Sequence, residues 1–211
     1  MKHFSKIDKL IISIDKGLHT IAAKHIAERP NPAGDTPEYE LSAAQKNHIA
    51  GLMRVNHAGE ISAQALYLGQ AITARNPVVR DKMQLAAIEE VDHLAWCEDR
   101  LAELNSHVSY LAPLWFLGSF MIGTIAGMVG DDWNLGFVAE TEKQVVKHLE
   151  SHMEDVPADD LRTQKILTQM RDDEAKHQEM ALESGARSLP DPIQKLMGLV
   201  SKVMTKTAYK I

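Results

Sequence analysis

Cysteine is nearly absent from this chain: Cys97 is the only one among 211 residues. That excludes a disulfide framework and any thiolate-built zinc or iron–sulfur site, and it suits a reducing compartment. Aromatic residues are also scarce, at 5%, while methionine occurs ten times. This balance favours helix packing over sheet. No segment alternates apolar and polar residues convincingly, so the chain reads as all-α. A basic main body is missing too. Residues 1–29 carry a net charge of +3 and residues 193–211 carry +4, which leaves −13 between them. An acidic body argues against a nucleic-acid partner. The basic ends either approach anionic lipid or are simply solvated lysines. The N-terminal stretch also lacks the pattern of a signal peptide, because Asp8 and Asp15 interrupt its apolar run. The expectation is a bacterial protein facing the cytosol.

What remains is an ordinary globular composition, 45% apolar and 25% charged, of a length that suits one domain with a full core. Ile7, Leu10, Ile11, Ile14, Leu18 and Ile21 recur at helical spacing, so residues 1–29 predict an amphipathic N-terminal helix. A proline-rich linker spans 30–41. Ser42 opens a long helix through Ala74, and Asn76-Pro77 is a cap followed by a first-turn proline for a helix reaching about Leu104. Asp131 or Asp132 begins another, to about Met153, before Pro157 breaks it. Residues 158–184 form one more, ending at Gly185. Residues 190–211 predict a basic amphipathic C-terminal helix on Ile193, Leu196, Met197, Val200, Val203 and Met204.

Two Glu-x-x-His units lie on these helices, Glu90-Val-Asp-His93 and Glu174-Ala-Lys-His177. At i and i+3 a carboxylate and an imidazole leave one helix face together. Each unit alone is a weak signal. Context strengthens it, because Glu60 and Glu142 sit on the helices preceding each unit. Two helices giving one Glu and two giving Glu-x-x-His make up the ligand set of ferritin-like dinuclear carboxylate proteins. Residues 42–189 are therefore expected to form a ferritin-like four-helix bundle. Glu142 falls inside the apolar stripe of Leu135, Val138, Ala139, Val145, Val146 and Leu149, whereas Glu140 and Glu89 turn away and should be solvated. The alternative is a set of paired core charges without metal, but four acids and two histidines lack enough basic partners. Hard carboxylates with two imidazoles and no thiolate suit iron or manganese. Oxygen activation is the implied chemistry, with metal storage or peroxide disproportionation as rivals.

Between Glu103 and Asp131 no Asp, Glu, Lys or Arg occurs, and residues 111–129 are long enough to cross a bilayer. Half of the candidate ligands precede this run and half follow it, so a crossing would place them on opposite sides. The run is therefore expected to be a crossover helix lying on lipid or buried in an oligomer. The alternative is a helix buried wholly within the monomer. Gly123 and Gly127 permit close helix contact.

The stretches RVNHAGE (54–60), AQALYLGQA (63–71), EEVDHLAWCE (89–98), LGFVAETEKQV (135–145) and DDEAKHQEMALESGA (172–186) closely resemble the Coq7 family of demethoxyubiquinol hydroxylases. The resemblance runs from about residue 40 to the C-terminus. It implies an O2-dependent di-iron monooxygenase of ubiquinone biosynthesis that hydroxylates a 2-polyprenyl-3-methyl-6-methoxy-1,4-benzoquinol. It also implies two iron ions per subunit (manganese being possible as isolated) and a peripheral position on the cytoplasmic face of the cell membrane. The electron donor is not specified, and a homo-oligomer or a biosynthetic complex is compatible. By motif match Glu60, Glu90, His93, Glu142, Glu174 and His177 are the metal ligands, with Glu90 and Glu142 or their partners bridging. His148 matches a histidine after the third glutamate and lies off its face, which suggests an outer-shell or surface role. Leu149 stands where some relatives have tyrosine. Asp92 and Asp173 either orient ligand histidines of a neighbouring helix or are solvated, and one of them is expected to be solvated. His57 and Cys97 read as structural residues near the site.

Overall fold

The computed structural model describes residue 15 and residues 17–211, and among these the regular structure is entirely helical. Most of the helix expected over residues 1–29, including Ile7, Leu10, Ile11 and Ile14, lies outside the described residues. Residues 17–22 are helical, but the chain then runs without regular structure well before position 29.

Six long helices follow: α1 (Ala43–Thr73), α2 (Pro77–Glu103), α3 (Ala112–Val129), α4 (Asp131–Asp155), α5 (Leu161–Glu183) and α6 (Asp191–Ala208). Their ends follow local chemistry. The Ser42 hydroxyl accepts from the Gln45 amide while the Gln45 side chain accepts from the Ser42 N–H, a reciprocal cap on α1. Asn76 caps α2 ahead of Pro77, whose missing N–H costs nothing in a first turn. Beyond α5 the chain turns at Gly185 with φ of +93°, a conformation that glycine alone adopts without a Cβ penalty.

The helices assemble as two antiparallel pairs, α1 with α2 and α4 with α5, and α3 crosses over along α1. Small residues set that close approach. A Cβ on Gly123 would stand 2.3 Å from the Leu66 carbonyl oxygen, and one on Gly69 2.5 Å from that of Phe120. Only Ala112, Gly123, Ala126 and Gly127 of α3 are buried, so the alternative of a helix enclosed by the monomer does not hold. Leu114, Leu117, Met121, Ile125 and Met128 form an exposed apolar stripe on it. Helix α6 exposes Leu196, Leu199, Val200 and Val203 in the same manner.

The core lies inside the four-helix unit, with Met53, Trp96, Leu149 and Met170 at one end and Tyr67, Met83, Leu135 and Ala181 at the other. Cys97 belongs to the first group, with its Sγ 4.0 Å from the Met170 sulfur. A buried arginine ties the pairs together. Arg100 Nη2 donates to Asp160 at 3.0 Å, its Nε to Thr163 at 2.8 Å and its Nη1 to Glu38 at 2.7 Å. Asp160 also caps the first turn of α5. The guanidinium thereby anchors α2 to the start of α5 through fully satisfied charge, which makes its burial tolerable.

Candidate metal centre

The six residues expected to hold metal all sit in the middle of this core, each no more than 5% exposed. Glu60 comes from α1, Glu90 and His93 from α2, Glu142 from α4, and Glu174 and His177 from α5. Single ligand atoms of Glu60, Glu90, His93 and Glu174 come within 4.8 Å of one another, a spacing that can hold a metal ion. His93 Nδ1 lies 3.5 Å from Glu60, 3.1 Å from Glu90 Oε2 and 3.2 Å from Glu174 Oε1. His177 Nδ1 lies 3.1 Å from Glu174 Oε2 and 3.6 Å from Glu90 Oε1. The two histidine nitrogens thus share the same two carboxylates, each through a different oxygen. Glu90 and Glu174 stand between the histidines. Glu60 faces His93, and Glu142 interacts with Glu174 and His177. Of the glutamates that the motif match allowed as central, Glu90 and Glu174 are the two that approach both histidines.

The electrostatics are dominated by crowded, buried carboxylates. Burial first, and then the Glu174 charge, push the Glu90 and Glu142 carboxyls well above the ordinary range. Burial works to keep the two histidines neutral, but their carboxylate neighbours outweigh it. Both imidazoles are raised, His177 to about 11. Glu90 Oε1, Glu142 Oε2 and Glu174 Oε1 are buried without hydrogen-bond partners. Three orphaned carboxylate oxygens around two imidazoles fit a hard or borderline cation, which would satisfy them and cancel their charge.

Around the cluster, other side chains fix its parts. Asp173 Oδ2 is 3.3 Å from His93 Nε2, and Glu89 Oε2 is 2.6 Å from His177 Nε2. An acceptor on Nε2 keeps a proton there, so Nδ1 is the nitrogen that would offer its lone pair to a cation at the centre. Arg29 bridges Asp92 at 2.5 Å and Asp173 at 2.7 Å, and its guanidinium lies 4.9 Å over the Trp96 ring. The Tyr67 hydroxyl donates to Glu142 Oε1. Burial and the surrounding carboxylates raise the Tyr67 phenol well above its usual value, so it remains a donor.

Several expectations are corrected. Glu89 is half-exposed, in line with its turn away from Glu90, but it also pairs with His177, which the sequence reading did not foresee. Asp92 and Asp173 are both buried and paired, so neither is simply solvated. Glu140 does turn away, but it lies mostly covered beside Lys143 at 3.0 Å. His148 stands apart from the cluster, its ring centroid 3.9 Å from that of His152 and its Nε2 unpartnered. His57 is buried beside Glu98. Sequence reasoning missed Tyr67 and Arg29, and nothing local marks either one. Glu89 had a signal: in both units an acid directly precedes the glutamate of Glu-x-x-His.

A cavity of about 430 Å3 reaches Glu60 from between α1, α3, α4 and α6. Its walls are mostly apolar, with Leu66, Trp115, Phe137, Leu196 and Val200 among them.

The arrangement defines a helical-bundle protein with a buried carboxylate–histidine centre suited to metal. Residues 47–208 match the family model of the ubiquinone biosynthesis protein COQ7, and the chain belongs to that family. A protein from Polynucleobacter asymbioticus named 3-demethoxyubiquinol 3-hydroxylase is 53% identical, covering 98% of this chain and 100% of its own length. Proteins of the same name from Xanthomonas campestris and Acinetobacter baumannii are 52% and 53% identical, covering 98% and 99% of this chain and 95% and 99% of their own.

Proposed function

We propose that this chain is a 3-demethoxyubiquinol 3-hydroxylase that uses two iron ions and O2 to hydroxylate the open ring carbon of a polyprenylated methoxy-benzoquinol. The observation that carries the reading is the pair Glu90 and Glu174, each with one oxygen toward each histidine. Glu60 and His93 would complete one metal position, Glu142 and His177 the other, and the two central glutamates would bridge. Bound there, two ferrous ions supply the electrons that begin O2 activation.

The chain's own groups do the rest. Asp173 and Glu89 hold the histidines with Nδ1 inward. Tyr67 keeps a proton at Glu142 Oε1, which fixes that carboxylate's rotation and leaves Oε2 free. The apolar cavity at Glu60 admits a lipophilic ring and excludes water from the reacting carbon. Inserting one oxygen atom into a ring C–H bond and releasing the other as water consumes two electrons and two protons from a reductant.

The exposed stripes of α3 and α6 lie beside that cavity and suit the surface of a membrane, where a polyprenyl substrate resides. Helix α3 is long and apolar enough to cross a bilayer. However, Glu60, Glu90 and His93 before it meet Glu174 after it, which favours a helix lying on one face of the membrane, the cytoplasmic face in this reading.

The test is to load the full chain anaerobically with ferrous iron and supply a short-chain demethoxyquinol, a reductant and 18O2. One labelled oxygen in the product supports the reading. An iron-loaded protein that leaves the quinol unchanged would overturn it.

A further inference from the structure

One end of the bundle carries a second convergence of metal-type ligands. His25, His57 and Glu98 place ligand atoms within 4.8 Å of one another. His25 Nδ1 lies 2.6 Å and His57 Nε2 3.4 Å from the same oxygen, Glu98 Oε1. The three residues come from the segment preceding α1, from α1 itself and from α2. His57 is three residues before Glu60, and Glu98 is five after His93. On antiparallel helices a step back on one and a step forward on the other lead toward the same end. The group therefore sits about one to one and a half turns, roughly 4.5 to 7.5 Å along the axes, from the four-carboxylate centre.

We propose that His25, His57 and Glu98 form a separate site for a divalent first-row transition-metal ion, of the ferrous or zinc class. Two imidazoles and one carboxylate make a three-ligand set that leaves coordination positions open for water, as such ions accept. His57 is 3% exposed and the His25 side chain 7%, so both imidazoles are held out of water, and each turns one nitrogen toward the same Glu98 oxygen. The spacing is close to what an ion requires. Ligand atoms held at about 2.0–2.2 Å from a metal stand roughly 3.2–3.5 Å apart. The His57–Glu98 separation already matches, and the His25–Glu98 contact opens by under about 1 Å when an ion replaces the shared proton. His25 also lines a cavity of about 340 Å3 between α1, α2 and the segment before them, which gives an ion a way in.

The experiment is an anaerobic titration of the metal-depleted full chain with Co2+, following the visible absorption of the bound ion and counting equivalents. Wild type is compared with Glu98→Gln, His25→Ala and Glu90→Ala, with circular dichroism to verify folding. The expected result is one ion fewer in Glu98→Gln and in His25→Ala than in wild type, while Glu90→Ala retains that same ion. Equal stoichiometry in wild type, Glu98→Gln and His25→Ala overturns the proposal. If wild type binds only one ion, lost in Glu98→Gln and kept in Glu90→Ala, this site stands and the dinuclear reading of the other centre fails.

Discussion

Asp173 Oδ2 approaches His93 Nε2 at 3.3 Å, while Glu89 Oε2 approaches His177 Nε2 at 2.6 Å. Each acid directly precedes the glutamate of its own Glu-x-x-His unit and serves the histidine of the other. The two units therefore lock one another across the α2–α5 interface. Outer partners of this kind fix a ligand's tautomer and ring plane, and their loss costs about 10- to 100-fold in metal affinity. Asp173→Asn is expected to weaken Fe2+ or Co2+ binding within that range. Glu89→Gln should do less, because its side chain is 51% exposed and competes with water. Equilibrium dialysis reads both, and unchanged affinity in Asp173→Asn would show that Arg29 and the packing alone hold His93 in place.

The central and outer glutamates should separate in a metal count. Glu90 and Glu174 face both histidines, whereas Glu60 faces His93 and Glu142 interacts with His177. Glu90→Ala or Glu174→Ala is expected to lose both ions of this centre, and Glu60→Ala or Glu142→Ala one each. Without metal the order of stability reverses. Burial and neighbouring charge hold the Glu90 carboxyl above its unfolded value. Its ionisation therefore favours unfolding as pH rises past the ordinary carboxylate range. Metal-free Glu90→Gln should melt above metal-free wild type at pH 8, and iron should raise the wild-type midpoint more than that of the variant. A lower midpoint in the metal-free variant would contradict the unfavourable burial of Glu90.

The helices were legible because their ends are local chemistry: Ser42 with Gln45, Asn76 with Pro77, and Gly185 past α5. The candidate ligands were legible for a similar reason, since i, i+3 spacing needs no knowledge of the rest of the fold. What supports them comes from far away. Arg29 meets Asp173 across 144 positions and Tyr67 meets Glu142 across 75, separations over which no periodicity carries information. Glu89 is exposed as its helical phase implies, but phase gives only the direction of a Cβ, and a glutamate side chain is long enough to reach back across the interface to His177.

The stripe Leu114, Leu117, Met121, Ile125 and Met128 on α3 is exposed in the monomer, and burying such side chains in lipid gains about 1.5–3 kcal/mol each. Replacing Leu117 and Met121 with glutamate removes two of these contributions and adds charge. Co-sedimentation with anionic vesicles should fall at least tenfold, with the helical content unchanged. Equal binding by the double variant would assign membrane contact to another surface.

Close packing of α1 on α3 should tolerate no added methyl. A Cβ at Gly123 meets Leu66 backbone at 2.3 Å, and neither helix backbone can yield as a flexible side chain would. Gly123→Ala is expected to lower stability by about 1–3 kcal/mol, the usual cost of overpacking. Gly118→Ala is the matched control, because nothing lies within 4 Å of a Cβ there. Urea unfolding of both variants distinguishes a packing cost from a general effect of glycine replacement, which would stabilise α3 in each.

Away from the metal centre, His152 offers a pH signature. Burial, aided by the nearby His148 and His48, pushes its imidazole down to about 3. The unfolded chain takes up this proton near pH 6.5 and the folded chain does not. Its contribution to stability is therefore whole above pH 6.5 and is lost as pH falls toward 3, by up to about 1.4 kcal/mol per pH unit. Between pH 7 and pH 5 wild type should lose about 2 kcal/mol more than His152→Gln, which cannot titrate. Measuring urea unfolding of both proteins at the two pH values removes the background of carboxylates common to each. Parallel losses would mean that His152 takes up its proton in the folded protein as readily as in the unfolded chain.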